Sequence, residues 1–186
     1  MKKRKWLIYV ITVVLTITLA SIASVFNSCT PLQDAVVNSI NGNIAFAYYD
    51  SQNAGVQIIV CDHDGHKLWT RFLSSNGGST LYLSYVEGSL QVYVSRTNKL
   101  YLFSEEGTIT LELDNISSAS EEISAMSLNN WNSWNQQKNG YTYYSEKYGT
   151  KYIYSDSFTV FDGRKCQLSI ENSDGQMIVL YQDGTT

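Results

Sequence analysis

The stretch that decides the fold is residues 58–69, IIVCDHDGHKLW. It starts with a run of apolar, mostly β-branched residues, passes through a polar segment that includes Gly65, and returns to the apolar pair Leu68 and Trp69. Glycine adopts the positive φ that a tight hairpin turn requires, and acidic residues solvate such a turn. The stretch therefore predicts a β-hairpin whose bend contains Gly65.

Two further stretches repeat this pattern: LYLFSEEGTITL at residues 100–111 and LSIENSDGQMIV at residues 168–179. Their bend glycines are Gly107 and Gly175, so the three glycines are separated by 42 and then 68 residues. The difference of 26 residues is close to the length of a segment without strand signals, at about residues 115–138. We therefore expect a repeat of about 42 residues with one insertion.

More strands are predicted upstream of each hairpin, because short runs rich in Tyr, Val, Ile and Thr are punctuated by Gly, Asn and Asp. The second hairpin is preceded by strands at residues 80–86 and 90–95, and the third by strands at residues 141–145 and 151–154. Before the first hairpin only residues 44–49 give a clear signal, so that unit is expected to lack a strand. The pattern predicts an all-β fold of about three antiparallel four-stranded sheets, each like the blade of a β-propeller.

Residues 59–69 also resemble the blade motif of pyrroloquinoline-quinone-type propellers, apolar-Asp-x-x-Gly-x-x-Leu-Trp, in which the tryptophan packs between neighbouring blades. Trp69 occupies that position here, and Leu111 and Val179 occupy it in the second and third repeats. The resemblance implies an architecture of quinoprotein-like blades. Three blades are fewer than the four to eight of a closed ring, so we expect an open, curved stack or a ring completed by other copies.

The resemblance implies no cofactor. The quinone-dependent enzymes of that superfamily use many more blades and a set of charged ligands for the quinone and calcium, and no such set is visible in this sequence. We therefore expect neither a cofactor nor a metal ion.

The insertion at about residues 115–138 interrupts the repeats with a helical pattern. Ser118-Ala119-Ser120-Glu121 is a capping-box sequence, and it predicts a helix over residues 119–136 that ends at Asn139-Gly140. We expect the helix to cover the open end of a sheet and to protect its edge. Its apolar face would consist of Ile123, Met126, Trp131 and Trp134.

The N-terminal part predicts a membrane segment. Residues 6–26 form an uncharged run about as long as a bilayer core is thick, and the basic residues 2–5 precede it. The positive-inside rule places residues 1–5 in the cytoplasm and the chain beyond about residue 30 outside. Two alternatives stay open: a signal peptide cleaved near Ser21-Ile22-Ala23, which would release the domain, and acylation of Cys29.

Residues 27–42 are interpreted as a juxtamembrane linker, and residues 43–186 as the extracytoplasmic β domain with its helical insertion. Within the linker, Thr30 as N-cap, Pro31 in the first turn and Gln33 predict a short helix over residues 31–39.

The charge distribution argues against nucleic acid as a partner. Four of the 13 basic residues lie at positions 2–5, which leaves nine against 17 acidic residues and a net charge of −8 over the remainder. Such a body repels phosphate backbones, and no basic stripe with interleaved aromatic residues is visible.

Candidate chemistry is sparse. The two histidines, His63 and His66, share one turn with Asp62 and Asp64, and no hydrolase or phosphate-loop motif is present. The acidic pairs at residues 105–106 and 121–122 fit a turn and a helix start. Cys61 and Cys166 are expected to be small buried side chains, although a disulfide between them is chemically allowed outside the cytoplasm. No catalytic residue is proposed.

Aromatic residues are abundant, with 14 tyrosines and four tryptophans, and they are dense over residues 131–154. Aromatic faces can stack on sugar rings, although tyrosines on alternating strands also face the core. The sequence thus predicts a membrane-anchored, extracytoplasmic protein that binds another protein or itself through strand edges, and not an enzyme. The alternative is a cell-surface glycan-binding module, whose candidate ligand-binding residues are Trp131, Trp134, Tyr141, Tyr143 and Tyr148.

Overall fold

Short runs of β-branched and aromatic residues separated by turn residues build thirteen strands within the described residues. A computed structural model describes residues 32–75, 77–121, 123, 126, 134–161 and 164–181. The fold is all-β, with three antiparallel sheets, as the sequence predicts. The predicted membrane segment at residues 6–26 lies outside the described residues, as do Cys29 and Trp131. Within the described residues, no helix combines the length and the apolar character that crossing a bilayer requires.

Each sheet is a meander of consecutive strands. We call the edge formed by the first strand of each sheet its inner edge and the edge formed by the last strand its outer edge. The third sheet carries one extra strand at its inner edge. The first sheet has the order β1-β2-β3-β4, the second β5-β6-β7-β8 and the third β13-β12-β11-β10-β9. The strands of the first sheet are β1 (Leu32–Val37), β2 (Ile44–Asp50), β3 (Gly55–Cys61) and β4 (Lys67–Ser74). Those of the second are β5 (Leu81–Val86), β6 (Ser89–Val94), β7 (Lys99–Phe103) and β8 (Ile109–Leu113). Those of the third are β9 (Asn135–Gln137), β10 (Gly140–Ser145), β11 (Thr150–Phe161), β12 (Arg164–Glu171) and β13 (Met177–Leu180).

The three predicted glycine bends are equivalent, as expected. Gly65, Gly107 and Gly175 have φ values of 84°, 75° and 77°, and each bend precedes the outer strand of its sheet. Each glycine N–H donates to the carbonyl three residues earlier, at 3.0–3.1 Å. A second backbone bond closes each loop, from the residue three before the glycine to the residue after it, at 2.9–3.0 Å.

The prediction of a short helix over residues 31–39 is wrong, because β1 occupies most of that segment and pairs antiparallel with β2. A nine-residue helix is marginal by itself, whereas a strand gains a backbone ladder from its neighbour. Asn38 and Gly42 then close a hairpin loop, and the Gly42 N–H donates to the Asn38 carbonyl at 2.8 Å. The first unit therefore has all four strands, and the β domain starts by Leu32 instead of residue 43.

The insertion is only partly as predicted. Ser120 Oγ accepts the Ile123 N–H at 3.4 Å, and the described positions Glu121, Ile123 and Met126 have helical backbone. The predicted helix end at residue 136 is wrong, because residues 135–137 form β9 and pair with β10. Trp134 packs in the core between the first and third sheets, and its backbone forms a bend directly before β9.

The first sheet lies between the other two and is buried on both faces. On β3, Ile58 and Val60 pack against the second sheet, whereas Ile59 and Cys61 pack against the third. This explains why residues 58–61 form a continuous apolar run instead of alternating with polar residues.

The outward faces of the second and third sheets differ. On the outer face of the second sheet, Ile123 and Met126 pack against Tyr93 and Leu100, so these two residues cover a sheet as expected from the sequence. The outer face of the third sheet mixes polar and apolar residues and carries a Lys151–Glu171 ion pair. Much of the apolar surface of the outer strand β8 is exposed.

Candidate interaction surface

The first and second sheets pack against each other through a close contact between a tryptophan side chain and a glycine. Trp69 from β4 lies against Gly107, where an added Cβ atom would be 2.5 Å from Cδ2 of the indole. The indole Nε1–H donates to the Glu105 carbonyl at 2.8 Å, and the ring stacks on Phe103 with centroids 5.5 Å apart. Position 107 therefore requires glycine twice over, for its positive φ and for this close approach.

The third and first sheets are joined in the same way with a smaller side chain. Ile178 from β13 lies against Gly65, and a Cβ atom there would be 2.7 Å from Cγ2 of Ile178. Ile178 pairs with Ile170, five residues before Gly175, just as Trp69 pairs with Val60, five residues before Gly65.

The residue equivalent to Trp69 in the third repeat is thus Ile178, and the sequence alignment with Val179 is wrong by one position. The cause is a β-bulge between β3 and β4 at Val60 and Cys61, for which the β12–β13 ladder has no counterpart. A bulge inserts one residue into one strand, so every later residue shifts by one in the alignment.

In the second repeat the equivalent residue is Leu111, which pairs with Leu102. Its side chain is 46% exposed. Gly175, the bend that a further junction of this kind would use, has no described atom within 4 Å of an added Cβ. The junctions formed by Ile178 on Gly65 and Trp69 on Gly107 therefore end at the second sheet, where Leu111 is exposed to solvent.

The outer strands β4 and β8 carry most of the exposed apolar surface of the first two sheets. All five residues of β8 are exposed, and both strands are the last in their sheets within the described part of the chain. Exposed apolar side chains on a strand edge are rare in monomers, because they template association. The large apolar residues concerned are Leu68 and Phe72 on β4, and Ile109, Leu111 and Leu113 on β8.

The two edges differ in charge. β4 carries the exposed basic residues Lys67 and Arg71. β8 carries Glu112, and Asp114 follows it directly. Lys99 bridges both carboxylates at 2.5 and 3.0 Å, and these bonds raise the pKa of the Lys99 ammonium. The β8 edge nevertheless keeps two acids against one base.

The histidine turn is fully explained by its own hydrogen bonds. Asp62 Oδ1 accepts the N–H groups of Asp64 and His66 at 3.0 and 2.8 Å, and its second oxygen lies 3.2 Å from His66 Nδ1. His63 stacks on Tyr148 of the third sheet with centroids 4.5 Å apart. Among the described residues, no three His, Cys, Asp or Glu side chains are grouped so that they could hold a metal ion.

The acidic pair at residues 105–106 belongs to the bend of the second sheet. Ser104 Oγ donates to Glu106 Oε2 at 2.8 Å, and this bond lowers the pKa of the Glu106 carboxyl. Glu105 contributes its carbonyl to Trp69. The two carboxylates thus lie at a turn, as expected from the sequence.

A small polar cleft of about 220 Å³ opens where the loops of the first and second sheets meet. Asn38 lies in its wall and donates to the Gly88 carbonyl at 3.4 Å, and Asn41 accepts the Asn43 N–H at 3.0 Å. Tyr85 also lines it, and burial raises the pKa of that phenol. Since its amide groups already hold the loops in place, the cleft has a structural explanation.

The described residues of the predicted aromatic ligand site are engaged in contacts within the fold, and Trp131 lies outside the described residues. Trp134 is 5% exposed and packs against Tyr143, and Tyr141 and Tyr143 are half-buried against the core between the first and third sheets. The Tyr148 hydroxyl donates to the Ile40 carbonyl at 3.0 Å. These side chains hold sheets together, and a tyrosine outside the candidate set, Tyr144, is the most exposed in the region at 57%.

The two cysteines described by the structure, Cys61 and Cys166, are buried free thiols. Burial is the main cause that raises the pKa of Cys61 to about 12, with a smaller contribution from the negative charge of Asp62. Such a thiol is neutral and unreactive at physiological pH.

Comparison of the chain with protein-family models and with curated proteins finds no match.

Sequence reasoning missed the edge at β8, which is the most exposed strand of the described fold that carries large apolar residues. The alternating apolar residues Ile109, Leu111 and Leu113 predict a strand, but their exposure depends on whether another part of the chain packs beside that strand. One sequence signal pointed to this edge: Leu111 occupies the position that the motif tryptophan has in the first repeat.

Proposed function

We propose that this chain is a membrane-anchored, extracytoplasmic binding or scaffold protein without catalytic activity, and that it acts by protein–protein contact through the outer strands β4 and β8. The observation that carries the proposal is β8, an edge strand exposed along its whole length with three large apolar side chains. An extended partner segment can add to such an edge by backbone hydrogen bonds and apolar contacts.

The proposed architecture is an open stack of three propeller-like blades behind an anchor formed by residues 6–26. Two contacts support the blade arrangement: Trp69 on Gly107, and Ile178 on Gly65. The inner strands β1 and β5 also meet, so the first and second sheets converge at their inner edges. The uncharged run at residues 6–26 after four basic residues supports the anchor and an outside location for the stack.

A protein partner fits better than a small molecule. The cleft between the first and second sheets is small, and the amides of Asn38 and Asn41 in its wall are bound by the protein itself. The β8 edge is exposed along all five of its residues and carries three large apolar side chains, which suits an extended polypeptide.

Site-specific photocrosslinking of the full chain in cells tests this proposal. We would place p-benzoylphenylalanine at Leu111, and at Met177 as a control, because both side chains are 46% exposed and Met177 lies on the third sheet. We expect a light-dependent protein adduct at Leu111 and none at Met177. Absence of an adduct at Leu111, Ile109 and Phe72, or equal labelling at Met177, would contradict binding through these edges.

The location is tested separately by adding protease to intact cells and to cells with permeabilised membranes. We expect the β domain to be cut from outside while it remains in the membrane fraction. Recovery of the domain in the medium would instead indicate a cleaved signal peptide, and protection in intact cells with cutting only after permeabilisation would refute the orientation.

A further inference from the structure

We propose that the polar cleft between the first and second sheets binds a primary ammonium group, and that this group belongs to a lysine side chain of the protein partner. This inference rests on the proposed function, since it names the chemistry by which the partner is recognised. It is carried by three features of the cleft: a carboxylate without an ion pair, an apolar rim beside that carboxylate, and an enclosed space of matching size.

The charge of the cleft comes from Glu105, which is the only charged residue that lines it within the described part of the chain. Its carboxylate forms no ion pair and no hydrogen bond with the described residues. The fold uses the backbone of this residue instead, because the Glu105 carbonyl accepts the Trp69 indole N–H. The neighbouring Glu106 differs, since its carboxylate accepts the Ser104 hydroxyl at 2.8 Å. A negative charge at the cleft is therefore left to attract a cation.

An apolar rim adjoins this carboxylate at Gly88. A Cβ atom added at Gly88 would lie 3.9 Å from Glu105 Oε1 and 4.0 Å from Ile40 Cδ1, so these two atoms are within about 8 Å of each other. Ile40 is 56% exposed, and Val86 in the same turn as Gly88 is 44% exposed. Lys147 reaches Ile40 from the third sheet, but its ammonium is bound to the Ile40 carbonyl. The four-carbon stem of a lysine can lie on this rim while its ammonium contacts the carboxylate.

The size of the cleft favours an ammonium over a guanidinium. Most of its volume is the open mouth, and the enclosed part has room for about one water-sized group. An ammonium is a compact donor of three hydrogen bonds, whereas the guanidinium of arginine is a wider planar fork. Tyr85 also lines the cleft, and no described residue forms a hydrogen bond with its hydroxyl group. A cation beside Glu105 thus has a phenol as well as a carboxylate in the same cleft.

The cleft lies at the ends of the strands that we propose to bind the partner. Trp69, near the start of β4, lines it, and Glu105 belongs to the bend that leads into β8. A polypeptide bound along β8 can therefore place a lysine at the cleft. The β8 edge keeps two acids against one base, so it favours a basic partner segment, whereas the basic β4 edge does not. We accordingly place the lysine-bearing segment on β8.

Titration of the isotope-labelled full chain in detergent with Nα-acetyl-lysine amide, followed by NMR, tests the site. Two signals report on the cleft: the Trp69 indole N–H, which donates to the Glu105 carbonyl, and the backbone N–H of Gly88. We expect both to shift with a Kd of about 1–10 mM, as for one charge-assisted contact. The same probe acetylated on its side-chain nitrogen carries no charge and should shift neither signal.

Glu105→Gln removes the charge with little change of shape and should weaken binding of the probe by about tenfold or more. Glu106→Gln is the matched control, because Glu106 is the adjacent acid and is also exposed, but it does not line the cleft. It should leave the Kd within about twofold of the wild type. Absence of shifts at a probe concentration about tenfold above the expected Kd, equal binding of the neutral probe, or equal losses in the two variants would overturn the site.

The photocrosslink at Leu111 then shows whether the ammonium belongs to the protein partner. We expect the adduct to be strongly reduced by Glu105→Gln and retained with Glu106→Gln. An adduct that persists with Glu105→Gln would overturn this inference and leave the proposed function standing. Binding of the probe without any adduct would refute the proposed function and the partner lysine together, and it would leave a cleft that takes a free amine.

Discussion

Adding one methyl group at Gly107 should destabilise the fold far more than the same change at Gly175. The two glycines hold equivalent bends, with φ values of 75° and 77° and the same two backbone hydrogen bonds. They differ in their surroundings, because a Cβ atom at 107 would lie 2.5 Å from the Trp69 ring, whereas at 175 it would have no described atom within 4 Å. Gly175→Ala is therefore a matched control for backbone strain.

The expected magnitudes combine backbone strain with overpacking. Alanine at positive φ costs about 1 kcal/mol, and this applies at both positions. At Gly107 the indole must also shift and strain its hydrogen bond to the Glu105 carbonyl, and such overpacking costs about 1–3 kcal/mol more. We expect Gly175→Ala to lower the free energy of unfolding by about 1 kcal/mol and Gly107→Ala by about 2–4 kcal/mol.

Urea denaturation of the purified full chain in detergent, followed by tryptophan fluorescence and by circular dichroism, measures both values. Trp69→Leu combined with Gly107→Ala supplies a cycle, since without the indole the added methyl group should cost no more than at Gly175. Equal losses for the two single variants would show that Trp69 and Gly107 do not form a close junction, and the order of the sheets would then be wrong.

Three further predictions concern other parts of the molecule. Asp34→Ala should lower the free energy of unfolding by about 2–3 kcal/mol, because the buried Leu83 N–H loses its acceptor at 2.7 Å; a change below about 0.5 kcal/mol in a denaturation series would contradict the contact. Cys61 should stay unmodified by a thiol-specific reagent at pH 9, since its pKa is about 12 in the fold and 9.0 is the ordinary value; rapid labelling without denaturant would refute the burial. If the glycan alternative holds, Trp131→Ala should abolish binding on a glycan array, and a silent array for the wild type would dismiss that alternative.

The strands and bends were predictable because their signals are local. A hairpin bend with glycine depends on fewer than ten consecutive residues, and the three bends at Gly65, Gly107 and Gly175 all match the prediction. The same locality caused the error at β1. The residues Thr30, Pro31 and Gln33 match the pattern of a helix start. No local sequence signal shows that the segment after them pairs with β2.

The burial of β1 also hid its periodicity. A β-bulge between Leu32 and Asp34 breaks the alternation, so that Leu32, Asp34 and Ala35 are all buried. Asp34 is buried because it accepts the Leu83 N–H from the neighbouring sheet. A sequence pattern predicts that such a carboxylate is exposed, because its hydrogen-bond partner lies 49 residues away.

The candidate interaction surface depends on where the repeat stops, and that is why sequence could not locate it. A leucine at the motif tryptophan position predicts packing against a following sheet, and Leu111 would be buried if another sheet packed against the second one. Instead Ile123 and Met126 cover Tyr93 and Leu100 on that sheet, and Leu111 remains exposed beyond them. Ile123 and Met126 therefore cover the middle of the second sheet, while the outer strand β8 of the same sheet is exposed.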